Sequence, residues 1–209
     1  MGRLASFTRI ALLLLMITLT GCSIGPAAKS VPHTYLLSPE VAFTNSPNPG
    51  RNDTVTLLVS LPRAQPGSDT IRMAYVLRPH EVSYYAFNQW ADTPARMLMR
   101  LLALAMEKTG LWEAVFQMPS PVRADHRLDA DNLVLEQQFF SSRSRVRLSL
   151  RVQLIDVKRQ SVMDTRGFEI FEDAPTADAY GGVIAANRAA AKLLEELAGW
   201  VATVMREGG

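Results

Sequence analysis

Between residues 145 and 154 apolar and polar side chains alternate without a break. Val146, Leu148, Leu150, Val152 and Leu154 fall on one side, and Arg145, Arg147, Ser149, Arg151 and Gln153 on the other. A period of two puts each set on one face of a strand, so the stretch predicts a half-buried strand with an arginine-rich solvent face. Val55, Leu57, Val59 and Leu61 repeat the pattern against Thr56 and Ser60. Ile71, Met73, Tyr75 and Leu77 repeat it against Arg72, Ala74, Val76 and Arg78 until Pro79 stops the run. Residues 82–90, dense in aromatics, give the next strand. Shorter apolar runs at 35–37, 111–116, 133–140 and 162–171 complete the set. Turns or loops are expected at 39–53, 62–69, 117–131, 141–144 and 158–161, where proline, glycine, serine and charge collect.

Two segments change to helical periodicity. Thr93 precedes Pro94 and is thereby pushed toward the extended backbone of an N-cap, while Pro94 takes the first helical position, where its missing N–H costs nothing. Gly110 supplies the stop, with Lys108 in the last turn. A helical wheel puts Arg96, Arg100, Ala103 and Glu107 on a narrow face and Met97, Leu98, Leu101, Leu102, Leu104, Ala105 and Met106 around the rest. That arc is wider than one sheet contact covers, so it requires either a second helix of the same chain or a subunit interface. The final segment, after residue 176, reads as a long helix whose apolar side combines Tyr180, Val183, Ala186, Asn187, Ala190, Ala191, Leu194, Leu197, Ala198 and Val201. Its alanines permit close approach to the sheet or to the first helix. Asn187 reads as a satisfied amide within that face.

The expected order is ββββαββββα. It implies an α+β fold of two layers, a largely antiparallel sheet with two helices packed on one face.

The first residues carry a different signal. Arg3 and Arg9 accompany an almost unbroken apolar run at 10–19, and Leu19, Thr20 and Gly21 bring small residues before Cys22. This is signal-peptide patterning, too short for a spanning helix of about 20 apolar residues. Cys22 is the only cysteine in the chain, so no disulfide framework exists, and a lone free thiol in an oxidising compartment would be a liability. Leu-Thr-Gly-Cys resembles the bacterial lipobox, which implies acylation of Cys22 as the first residue of the mature protein. Ser23 at the next position implies sorting to the outer membrane. The boundaries expected are a signal peptide at 1–21, a lipidated tether at 22–34 and a single domain at 35–206.

The run AYVLRPHEVSYYAFNQWADTPARML, followed by a leucine-rich helix ending in glycine, resembles the ABC-type transport auxiliary lipoprotein family, lipoprotein partners of MCE-domain transporters of the paraquat-inducible type. The resemblance implies an outer-membrane, periplasm-facing auxiliary component of an MCE/ABC system, with its permease and ATPase, that moves lipids or other hydrophobic molecules between membranes. Partner contact is expected at a sheet edge or at the aromatic segment, with Tyr84, Tyr85, Phe87 and Trp90 as candidates. An aromatic at a strand end also serves as a core plug. The alternatives are a structural lipoprotein of the envelope and an anchored enzyme.

Charge and chemistry narrow the field. The whole chain is formally +2, but without Arg3 and Arg9 it carries 20 basic and 20 acidic side chains, so net charge makes no case for nucleic acid. No phosphate-binding loop and no Gly-x-Ser-x-Gly elbow occurs. His33, His80 and His126 lie far apart in sequence without a second ligand at metal spacing, so neither a metal nor another cofactor is expected. Asp125, Asp129 and Asp131 cluster in an expected loop, where solvated charge explains them. The arginines at 145, 147 and 151 fit either a docking stripe or a solvated face with Glu136 and Gln138 as cross-strand partners.

Overall fold

The cleanest alternation gives the spine of the sheet. In the computed structural model, which describes residues 31–41, 55–140 and 143–208, strand β7 (Arg145–Asp156) buries Val146, Leu148, Leu150, Val152 and Leu154 and turns its arginines outward. It lies antiparallel between β6 (His126–Gln138) and β8 (Ser161–Asp173). The expected signal segment, Cys22, the tether up to residue 30 and the loop residues 42–53 fall outside the described residues.

The remaining strands are β1 (His33–Tyr35), β2 (Thr56–Val59), β3 (Arg72–Val76), β4 (Ser83–Trp90) and β5 (Ala114–Gln117). Strand β6 is where the sheet forks. One of its edges pairs with β7 from end to end. On the other edge, its first part takes β2 and, beyond it, β5, both in parallel register. Its last part takes β3 in parallel, followed by antiparallel β4 and parallel β1. The sheet is therefore mixed. Its long pairings are antiparallel, and its parallel pairings are short ones between segments distant in sequence.

Two boundaries differ from expectation. Strand β6 begins at His126, inside the segment expected to be a loop. Leu128 and Ala130 face the core, while Arg127 and Asp129 face outward, so the alternation is real but masked by its charges. A bulge between Asp131 and Val134, with Asn132 at φ 56°, then inserts a residue and moves the inward positions to Leu133, Leu135 and Gln137. Strand β1 begins at His33 and ends at Tyr35. The end of the expected tether is therefore already sheet, and Leu37 is buried after it.

Helix α1 (Pro94–Thr109) starts and stops as expected, with Thr93 extended and Gly110 left-handed at φ 67°. The Thr93 side chain makes no cap bond; its N–H donates instead to the Asp92 carboxylate at 2.8 Å. The wheel needs one correction. Ala103 is buried, and Leu104, 45% exposed, sits on the solvent face. Helix α2 (Ala179–Glu207) packs against α1 as well as the sheet, and Ala103 lies in the core that these elements share. On α2 the face in contact is Ala185, Ala186, Ala189, Ala190, Leu193, Leu194, Leu197 and Val201, all buried, while Tyr180 is exposed rather than part of it. Both helices and the inner sheet face share one hydrophobic core.

Candidate functional site

The aromatic segment on β4 divides once its environment is known. Trp90 is 3% exposed and belongs to the core, so it plugs the domain and is not available to a partner. Tyr84 donates its hydroxyl to the Gly67 carbonyl at 3.0 Å and lies under the Arg72 guanidinium, 4.1 Å from the ring centroid. Tyr85 donates to Gln137 Oε1 at 2.9 Å and packs on Tyr75 with ring centroids 4.9 Å apart. Burial, reinforced by the nearby Asp178 charge and Tyr75, pushes the Tyr85 phenol up to about 12, which keeps it a donor. Only Phe87, 54% exposed, offers a large part of its side chain to solvent. Strand β1 pairs with Asn88, Gln89 and Trp90 alone, so at residues 83–87 the outer edge of β4 has no strand beside it among the described residues.

Gln137 organises the neighbouring core. Besides accepting from Tyr85, its amide donates to Ser144 Oγ at 2.9 Å and to the Asp178 carbonyl at 3.1 Å, tying β4, β6, the start of β7 and the N-terminus of α2 together. Asp178 caps α2 by accepting from the Gly181 N–H at 2.7 Å. That bond, together with the Thr176 hydroxyl, holds its carboxyl below the usual carboxylate range. Asn187, half-buried, accepts from the Ser38 N–H at 2.6 Å and donates to the carbonyls of Leu36 and Val183. It is a satisfied amide, and it fastens the segment after β1 to α2.

The arginine face is paired internally. Arg145 donates to Gln138, Arg147 pairs with Glu169 at 2.7 Å and Glu136 at 3.7 Å, and Arg151 makes a two-point bond to Asp131 at 2.7 and 2.9 Å. Of the cross-strand partners expected from sequence, Gln138 serves Arg145 and Glu136 is the more distant partner of Arg147, while Glu169 and Asp131 were not expected. Asp131, expected in a loop, is instead a nearly buried strand residue whose carboxyl is held low by Arg151 and then by Arg63.

A cleft of about 270 Å³ lies at the opposite end of β6, lined by Val55, Asp125, His126, Lys158, Met163 and Met205 among others. Its charges neutralise one another. Lys158 pairs with Asp125 at 2.7 Å and Arg159 with Asp156 at 3.7 Å. Burial lowers the His126 imidazole, which stacks near Trp112 at 5.5 Å. Alternation alone would have shown His126 in step with Leu128 and Ala130. Among the described residues no group of His, Cys, Asp or Glu side chains is placed to hold a metal, and no helix is long and apolar enough to cross a membrane.

The arrangement is thus a packed two-layer domain in which the arginines of β7 are paired on the outer face and the β4 edge at 83–87 is open and uncharged. The family model of the ABC-type transport auxiliary lipoprotein component matches residues 35–198, which span α1, most of α2 and all strands from β2 to β8. The chain belongs to that family. No match is found among curated proteins. Among solved structures, this auxiliary lipoprotein is similar to a Xanthomonas campestris protein of domain-of-unknown-function family 330. The two share 24% identity with a TM-score of 0.74, covering 84% of this chain and 97% of that one. An uncharacterised protein at 12% identity and TM-score 0.62 covers 82% of this chain and 99% of its own. Both likenesses concern the fold.

Proposed function

We propose that this auxiliary lipoprotein is acylated at Cys22, held on the periplasmic face of the outer membrane, and serves an MCE/ABC system that carries lipids or other hydrophobic molecules between membranes. The observation that carries the proposal is the family match over residues 35–198 together with Leu-Thr-Gly-Cys at 19–22. The domain's part is binding and alignment, without catalysis: it receives the end of an inner-membrane-anchored MCE partner. The contact proposed is the open β4 edge at 83–87, where Ser83, Tyr84, Tyr85, Ala86 and Phe87 carry no charge and a partner strand could add to the sheet.

Cross-linking in intact cells, followed by mass spectrometry of captured proteins, tests the partner. An MCE protein is expected for the natural chain and its loss for Ala86→Lys, which places a charge on an exposed edge position. Capture of envelope-structure proteins alone, even with an MCE protein co-expressed, would favour the structural-lipoprotein alternative. Fatty-acid labelling tests the anchor: Cys22→Ala should abolish the label, and Ser23→Asp should retain the protein at the inner membrane.

A further inference from the structure

The chain enters the domain beside a strip of exposed apolar side chains. The His33 ring stacks on half-buried Tyr35 at 6.4 Å, and Tyr35 in turn meets Tyr180, 59% exposed, at 6.1 Å. Leu36, also 59% exposed, follows directly, and its carbonyl is fixed to α2 by Asn187. The strip is therefore presented by backbone that is pinned at both ends, to β4 through strand pairing and to α2 through Asn187. Leu37, buried behind it, prevents the segment from turning over to hide its neighbour.

We infer that this strip, formed by Leu36 and Tyr180 with Tyr35 between them and the sheet, lies in the interface of the lipid bilayer that holds the anchor. The inference rests on the reading of Cys22 as acylated. Cys22 lies eleven residues before His33, so the chain between them spans at most roughly 40 Å. Wherever the acyl chains sit, the strip is the described surface closest along the chain to the membrane. Strand β6, thirteen residues long, measures about 40 Å from end to end, so the cleft at its start can stand clear of the bilayer. The side-chain chemistry suits an interface. Tyr180 can place its ring among the upper acyl carbons and its hydroxyl among headgroups, Tyr35 supports it from behind with its own hydroxyl donated to Asn88 Oδ1 at 3.2 Å, and Leu36 supplies apolar area without charge.

Tethering also explains why so small a strip suffices. A surface held this close to its target meets it at an effective concentration on the order of millimolar, so a contact too weak to recruit the domain from solution is occupied once the anchor is in place. The consequence is orientation. The domain would rest on its β1 side, with the neighbouring β4 edge at the membrane surface, where a conduit for hydrophobic molecules has to end.

The test uses the full-length acylated protein in vesicles of phosphatidylethanolamine and phosphatidylglycerol. Acylation consumes the chain's only cysteine, so a single introduced cysteine can carry an environment-sensitive fluorophore. Labels at Tyr180→Cys and Leu36→Cys should be blue-shifted and quenched several-fold more strongly by brominated lipid than a label at Val122→Cys, in the loop before β6. Equal quenching at the three positions, with fatty acid confirmed on Cys22, would overturn the inference while leaving the anchor intact. A blue shift at Tyr180→Cys without lipid quenching would also overturn it, by showing that protein covers the strip. Failure to acylate Cys22 would remove both the inference and the reading beneath it, and fatty-acid labelling reports that separately.

Discussion

Gly182 and Gly199 lie in the same helix, and the same substitution should act on them with opposite sign. In a helix interior, glycine to alanine is worth roughly 1 kcal/mol of stabilisation, because the unfolded chain loses freedom. A Cβ at Gly199 meets nothing within 4 Å, so Gly199→Ala should realise about 0.5–1 kcal/mol of that. A Cβ at Gly182 would overlap the Gln137 carboxamide oxygen and come within 2.8 Å of its Cδ. Gln137 has nowhere to yield, since it is buried and bonded to Tyr85, Ser144 and the Asp178 carbonyl. Overpacking costs about 1–3 kcal/mol. Each buried polar group left without a partner costs a further ~1–3 kcal/mol. Offset by the helix gain, Gly182→Ala should destabilise by about 2–4 kcal/mol. For a domain of this size that lowers Tm by roughly 5–15 °C, against a rise of a few degrees for Gly199→Ala. Urea unfolding followed by circular dichroism reads both. In a Gln137→Ala background the added methyl displaces no carboxamide, so most of the cost of Gly182→Ala should disappear. An unchanged cost there, or a neutral Gly182→Ala in the natural background, would refute the assignment of Gln137 as the clamp on α2.

Three further expectations follow from the charged groups. The Asp125 carboxyl is lowered from 3.8 to about 2, chiefly by the hydrogen bond from Lys158, with the Thr56 N–H and hydroxyl adding to it. A depressed folded-state value stabilises above the unfolded one and is lost as pH falls through the folded one. Thermal unfolding of Asp125→Asn should therefore lie below the natural protein at pH 5–8 and converge with it between about pH 4 and 2. Arg151→Ala strips the two-point bond from nearly buried Asp131 and leaves Arg63 at 3.4 Å; with the guanidinium screened by solvent, the expected outcome is a modestly lower urea midpoint. Asp178→Ala removes the α2 cap at a cost of about 1 kcal/mol, and ultraviolet titration should show Tyr85 ionising at lower pH once that neighbouring charge is gone.

What could be read from the residues was whatever depends on neighbours in sequence. The alternation at 145–154, the Thr93-Pro94 start and the Gly110 stop each encode their own local geometry, and the structure has them. Glu136 and Gln138 were also legible as partners of Arg147 and Arg145, because a hairpin with a short turn fixes its own register, whereas Glu169 on β8 and Asp131 in the supposed loop were not. The first half of β6 was not. Arg127, Asp129 and Asp131 make the stretch look like loop, and it becomes strand because the long β7 template and the parallel β2 supply hydrogen bonds and opposite charges that no local window contains. The parallel pairings were invisible for the same reason. On α1, the choice between Ala103 and Leu104 depended on where α2 would lie. Among the aromatics, Trp90 and Phe87 carry similar signals in sequence, and only tertiary packing sends one into the core and leaves the other in water.

The same packing narrows where the proposed partner can bind. A ligand on the arginine face would have to displace Glu136, Gln138, Glu169 and Asp131 from guanidinium groups already bonded to them, which gives little net gain. The helix layer covers the inner face. That leaves the sheet edges, and they are not equivalent. Strand β8 carries Asp164, Arg166, Glu169, Glu172 and Asp173 along its length, and charges on an edge strand discourage a neighbour. Strand β5 is only four residues long, and Pro119 and Pro121 follow it closely, so a partner strand would find few bonds there. The β4 edge at 83–87 has neither protection. It is uncharged, it is next to β1 and the chain's entry into the domain, and its one freely exposed aromatic is Phe87. With the proposed acylation at Cys22 this unguarded edge neighbours the strand through which the chain enters the domain, and that ordering of the edges supports the proposed docking there.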